Sequence, residues 1–159
     1  MRIGLISDTH GDVFGTQAAV HQFQAFEVDL VIHMGDVGEG ILGFFSDWPT
    51  HFVAGNTDYT DSLGAAIDAA GQTFHGRFGQ LEIDDRRIAF LHGDDIRRLN
   101  RTIESGQWSF VFHGHTHFPR DQREGDTRVV NPGAIHRAHR PSVAILELDD
   151  DRVTHVALA

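Results

Sequence analysis

Five short apolar segments of this 159-residue chain each run directly into a small polar cluster. Asp8-Thr9-His10-Gly11-Asp12 follows the first and His33-Met34-Gly35-Asp36 the second. Gly55-Asn56-Thr57-Asp58 follows the third, His92-Gly93-Asp94-Asp95 the fourth, and His113-Gly114-His115-Thr116-His117 the fifth. A short apolar run bounded by turn-forming residues reads as a buried strand. In α/β sheets, sites form at the carboxyl ends of the strands, so polar residues placed there are placed for chemistry. If these strands are neighbours, the five clusters converge.

The pattern between the clusters fixes the fold class. Strands are expected over residues 3–7, 30–33 and 51–53, with an amphipathic helix over 14–26 whose apolar residues include Phe14, Ala18, Phe23 and Phe26. A short helix is expected over 41–45, and another over 61–70, capped by Asp61 or Ser62 and ended by Gly71. Residues 73–78 and 80–83 read as a hairpin, followed by a strand over 87–91, a helix over 96–104 and a strand over 110–112. Further strands are expected over 128–130, 143–148 and 153–157, with Asp149-Asp150-Asp151 as a hairpin turn. The front half alternates strand and helix and the back half is mostly strand. That combination implies an α+β fold of mixed sheets with helices outside them, in layers. With no repeat, linker or low-complexity tract, the chain reads as one domain over residues 1–159.

Composition narrows the chemistry. The chain has no Cys, so thiolate metal sites and disulfides are excluded and any metal is held by His, Asp, Glu, Asn or backbone oxygen. It has 12 His, a high count for its length. All 13 basic residues are Arg, which we attribute to genome composition rather than function. The formal charge of −10 argues against extended nucleic acid or an anionic membrane surface as partner. No apolar run reaches the 18 residues of a membrane span, and the apolar N-terminus lacks a small-residue cleavage site, so a cytoplasmic protein is expected. No feature specifies an oligomeric state.

The clusters supply suitable ligands. Asp8 and His10 are two residues apart, as are His115 and His117, so each pair can point the same way from an extended segment. The glycines allow tight turns beside a bulky centre. Imidazole with carboxylate and amide oxygen suits Mn, Fe, Zn or Ni, and Mg less well.

Taken in order, Asp-Xaa-His, Gly-Asp, Gly-Asn, His and Gly-His-Xaa-His, the clusters resemble the calcineurin-like metallophosphoesterases, over Asp8 to His117. Asn131-Pro132-Gly133 resembles a segment common in the small bacterial and archaeal phosphodiesterase-like members. The resemblance implies a four-layer sandwich of two mixed β-sheets flanked by helices. It further implies that Asp8, His10 and His117 hold one divalent metal and Asn56, His92 and His115 a second, with Asp36 bridging. A hydroxide bridging the two metals would attack phosphorus, with Asp36, Asn56 and His115 as the catalytic positions. Two divalent ions set against Asp8, Asp36 and that hydroxide leave a local charge of about +1, an anion trap in an acidic protein.

One departure stands out. Thr57 occupies the position where the family usually has a His that stabilises the transition state or protonates the leaving alkoxide. Thr cannot act as that acid near neutral pH. The expected activity is therefore on diesters or esters with good leaving groups, and weak on alkyl monoesters, with Asp58 left to a supporting role. His33 either orients Asp36 or is a core histidine, the second being preferred. Asp12 is expected to cap the first helix. His136, Arg137, His139 and Arg140 read as a solvated loop that can alternatively meet substrate phosphate. His21, His51, His75 and His155 lie outside every cluster and carry no expected role. The alternative to an enzyme is a non-catalytic interaction scaffold on the same fold, as a retromer subunit that resembles the family illustrates. The complete ligand set favours the enzyme.

Overall fold

A computed structural model describes residues 1–158. The chain runs β1 (Arg2–Ile6), α1 (Val13–Ala25), β2 (Leu30–His33), a 3-10 helix (Glu39–Phe45), β3 (Thr50–Phe52), α2 (Thr60–Ala69) and β4 (Thr73–Phe74). It continues through β5 (Phe78–Ile83), β6 (Arg86–Leu91), α3 (Ile96–Glu104), β7 (Phe110–Phe112), β8 (Arg120–Glu124), β9 (Thr127–Asn131), β10 (Ser142–Glu147) and β11 (Arg152–Ala157).

The strands form two mixed sheets, one ordered β11-β10-β1-β2-β3-β4 and the other β5-β6-β7-β9-β8. Alternation along the central strands decides which side chain enters which layer. Ile3, Leu5 and Ile32 of the first sheet meet Ile88, Phe90, Phe110 and Phe112 of the second in the core between the sheets. The opposite faces bury Ile6 and Val31 under α1, α2 and the 3-10 helix, and Ala89 and Val111 under Leu99 and Ile103 of α3. The four layers expected from the sequence are thus present. Helix α1 presents Thr16, Ala19, Val20 and Phe23 inward at helical spacing, and Asp12 caps it by accepting from the Gly15 amide at 2.9 Å. Gly4 is required beneath it: a Cβ there would lie 2.8 Å from the Phe23 ring.

Four expectations need correction. Residues 73–83 are not a hairpin: β4 pairs parallel with β3 in the first sheet, while β5 pairs antiparallel with β6 in the second. Gly76, with φ of +69°, breaks the chain between them, and its carbonyl accepts from the Ala54 amide. Helix α2 is preceded by Tyr59 with no side-chain cap, rather than by Asp61 or Ser62. Phe14 does not face the core but is 85% exposed in the first turn of α1. Strand β8, sequence RDQRE, went unrecognised because it is an exposed edge strand without apolar alternation, charged as edges commonly are. Among the described residues no helix is long and apolar enough to cross a membrane.

Candidate metal centre

The three strands that lead into the Asp8, Asp36 and Asn56 clusters are adjacent and parallel, in the order β1-β2-β3. The two that lead into the His92 and His113–His117 clusters, β6 and β7, are likewise adjacent and parallel in the other sheet. All five carboxyl ends open on one edge of the sandwich. There the backbone turns sharply: Asp8, His10, Asp36, His115 and His117 have φ of 56°, 45°, 52°, 69° and 64°. Non-glycine residues seldom adopt this left-handed region, and each instance costs on the order of 1–3 kcal/mol that the surrounding structure must offset. The pairs Asp8/His10 and His115/His117 therefore converge through left-handed turns, not from the extended segments their spacing suggested. Extended backbone would aim them across the sheet face, whereas these turns aim them past its edge.

Asp8 is fully buried, and its two oxygens have different surroundings. Oδ2 accepts from the Ser7 hydroxyl at 2.7 Å and the His115 amide at 3.1 Å. Oδ1 has no hydrogen-bond partner. Around it lie the Nε2 atoms of His117 at 3.2 Å and of His10 and His92 at 3.9 Å. A buried carboxylate oxygen without a partner is costly, and one ringed by imidazole nitrogens fits a cation between them. Ligand atoms of Asp8, His10 and His117 all lie within 4.8 Å of one another, as do those of Asp8, Asp36 and His92. The nitrogen and oxygen donors fit a divalent transition metal.

Asp8 is common to the two groups, and Asp36 lies between them, with Oδ2 3.2 Å from His92 Nε2 and 3.5 Å from His10 Nε2. Its other oxygen accepts from the Thr57 amide at 3.0 Å and the Thr57 hydroxyl at 2.8 Å. Burial alone would push the Asp36 carboxyl up, but the His92 imidazole and the Thr57 donors outweigh it and hold it below the ordinary carboxylate range. Gly55 sits so close that a Cβ there would lie 2.1 Å from Asp36 Oδ1. His92 donates through Nδ1 to the Met34 carbonyl at 2.7 Å, which turns Nε2 toward the carboxylates. Burial lowers the proton affinity of His92, yet Asp36 and Asp8 together raise it above the usual value. His115 Nδ1 lies 3.3 Å from His92 Nε2. Asp58 accepts from the Val37 amide at 3.1 Å and the Gly55 amide at 2.8 Å, tying together the loops after β2 and β3.

His33 makes no hydrogen bond to Asp36. It is a core histidine, stacked on Phe52 with ring centroids 5.5 Å apart. Its Nδ1 accepts from the Gly35 amide and its Nε2 donates to Thr9 Oγ1, so it braces the turn that carries Asp36. Burial, aided by His92, pushes its pKa down to about 3, in keeping with a neutral ring. His113, buried beneath the last cluster, is lowered to about 4 chiefly by burial.

Above these residues is a cavity of about 400 Å³. His10, Asp36, Asn56, Thr57, His115 and His117 line it, while Asp8 and His92 lie buried beneath. His136 and Arg137 also line it, so part of the loop read as solvated belongs to the site. The His136 amide donates to the Asp8 carbonyl at 2.9 Å, which ties that loop to the centre. Ser7 and the Met34 carbonyl are working parts that sequence reasoning missed. Ser7 carries a weak signal, a hydroxyl next to the first ligand, while a main-chain carbonyl has none.

Comparison with known proteins agrees with this geometry. The model of a family described as the calcineurin-like phosphoesterase superfamily domain matches residues 1–151. Phosphodiesterase MJ0936 of Methanocaldococcus jannaschii is 29% identical over 165 residues, covering 99% of this chain and 99% of the relative. A solved archaeal phosphodiesterase superposes with a TM-score of 0.91 at 28% identity, over 99% of this chain and 100% of that one. The E. coli phosphoesterase YfcE shares the fold, with a TM-score of 0.73 at 18% identity over the full length of both chains. So does zinc-complexed Vps29 of Entamoeba histolytica, with a TM-score of 0.71 at 18% identity over 99% of each.

Proposed function

The chain belongs to the calcineurin-like phosphoesterase superfamily, and we propose that it is a metal-dependent hydrolase of small phosphodiesters. The observation that carries this reading is the unpartnered, buried Oδ1 of Asp8 facing three imidazole nitrogens beside Asp36. The near full-length similarity to an archaeal phosphodiesterase supports the diester.

In this reading Asp8, His10 and His117 hold one divalent ion, Asn56, His92 and His115 a second, and Asp36 both. The ions supply an activated water and Lewis acidity toward phosphate oxygens. The protein's own groups do the positioning. Thr57 fixes the rotation of the Asp36 carboxylate, and the Met34 carbonyl fixes the tautomer of His92. Asn56, on the cavity wall, offers an amide donor to a non-bridging oxygen. The Thr57 hydroxyl is committed to Asp36 and gives the leaving oxygen no proton, so substrates with good leaving groups are favoured. Manganese, nickel, iron and zinc suit the donor set better than magnesium, and the absence of Cys accords with that oxygen-and-nitrogen chemistry. We place the activity in the cytoplasm, within one domain spanning the sequence given.

The test is hydrolysis of a chromogenic phosphodiester and its matching monoester by metal-stripped protein, with Mn, Ni, Zn and Mg restored separately and Asp36→Asn run alongside. Metal-dependent turnover that favours the diester and vanishes in the variant is expected. Two bound ions per chain with no turnover for any metal would leave a binding scaffold as the better reading.

A further inference from the structure

We infer that Arg137 is the substrate-anchoring residue of this site, holding a non-bridging oxygen of the scissile phosphate against the metal face. The inference rests on the phosphoesterase reading above. Arg137 lines the same cavity as His10, Asp36, His115 and His117. Its guanidinium presents a planar fork suited to two phosphate oxygens.

Five of the other twelve arginines are held in ion pairs. Arg2, Arg86, Arg120, Arg128 and Arg152 each pair with a carboxylate. Arg137 has no such partner among the described residues. Asp12, which lies 3.4 Å from His136 Nδ1, already accepts from the Gly15 amide. An arginine without a counter-ion, in a chain of formal charge −10 and on the wall of a cavity, is placed for an anion that arrives from solution.

Its placement is also fixed. Ile135 is buried in the core beneath α1, and the His136 amide donates to the Asp8 carbonyl. The Asn131 side chain accepts from the Gly133 amide at 2.9 Å, and the Ser142 hydroxyl donates to the Pro132 carbonyl at 2.7 Å. This chain of bonds delivers Arg137 to the rim in a left-handed conformation, φ 54°. Its side chain is exposed, but its backbone shares the left-handed conformation of Asp8, His10, Asp36, His115 and His117, so the main chain that carries Arg137 is fixed at the rim of the site. Arg140, three residues on and exposed like Arg137, does not line the cavity and provides the internal control.

The probe is inorganic phosphate titrated by calorimetry into manganese-loaded wild type, Arg137→Ala, Arg137→Lys and Arg140→Ala. Loss of a charge-assisted fork predicts about 10- to 100-fold weaker phosphate binding for Arg137→Ala, partial recovery for Lys, and wild-type binding for Arg140→Ala. KM for the chromogenic diester should rise by a similar factor in Arg137→Ala, while manganese uptake and Tm stay unchanged. Equal losses for the two alanine variants would reduce the effect to general electrostatics and overturn the inference. Unchanged phosphate affinity in Arg137→Ala would overturn it as well, even if kcat fell. Were the wild type inactive with every metal, the phosphodiesterase reading would fail, and the phosphate titration would still decide the role of Arg137.

Discussion

The two sheets contribute unlike chemistry to one site. The six-stranded sheet supplies both buried carboxylates, Asp8 and Asp36, together with His10 and Asn56, from the ends of β1, β2 and β3. The five-stranded sheet supplies only imidazoles, His92, His115 and His117, from the ends of β6 and β7. The bonds that orient them cross the sandwich: His92 donates to the Met34 carbonyl, and Asp8 accepts from the His115 amide. One sheet thus carries both carboxylates, the other contributes only imidazoles, and neither holds a complete set. A metal bound here joins the two sheets and stabilises the folded chain by mass action.

This division of labour predicts unequal losses. Removing charge from the first sheet should do most harm: Asp8→Asn should lower turnover about 1,000-fold or more, since the buried oxygen loses the charge that holds a cation. The same variant should lose the rise in Tm that manganese gives the wild type. Removing an imidazole from the second sheet should do less. His117→Ala is expected to raise the manganese half-saturation concentration about 100-fold, with activity restored at high metal. Equal and irreversible losses in both variants would show that charge does not separate the two sheets.

Asp58 tests the first sheet without touching a ligand. Its carboxylate collects the Val37 and Gly55 amides, so Asp58→Ala leaves two backbone donors unmet and should cost about 2–3 kcal/mol in urea unfolding of the metal-free protein. His33 sharpens the same side through pH. Its pKa is about 3 in the folded chain and 6.5 in its absence, so between those values the unfolded chain binds the extra proton. Its contribution is present above about pH 6.5 and is lost as pH falls toward 3, with a slope of at most about 1.4 kcal/mol per pH unit. Urea midpoints of metal-free His33→Gln should vary less between pH 6.5 and 4.5 than those of wild type; an unchanged slope would move the effect to another group.

The Asp and His side chains that meet at the sheet edge were legible because each follows an apolar strand, and strand ends are where sheets expose polar side chains. Helix α3 was legible to the residue, since Asp95 caps it and its apolar positions recur at helical spacing. Other parts had no local signal. Strand β8 exists only because β9 offers a partner, and residues 73–83 divide between sheets at a glycine whose role depends on contact with Ala54. The left-handed turns at Asp8, His10, Asp36, His115 and His117 were hidden for the same reason: Asp and His do not announce positive φ as glycine does, and only the assembled site over-determines it. His136 and Arg137 looked like loop because what seats them is a backbone bond to Asp8, about 130 residues earlier in the sequence.

The smallest expected effect concerns position 57, where the two sheets' contributions meet a proton neither supplies. Thr57 uses both its amide and its hydroxyl on Asp36, so Thr57→His retains the amide bond and gives up the other. The new imidazole can protonate a poor leaving group, which a diester with a good leaving group hardly needs. The ratio of alkyl-monoester to diester turnover should therefore rise about 10-fold, while the looser Asp36 weakens manganese binding only a few-fold. A ratio that stays put while metal affinity falls would mean that Thr57 matters here as a clamp on Asp36. Substrate preference would then lie with the cavity wall formed by the His136–Arg137 loop.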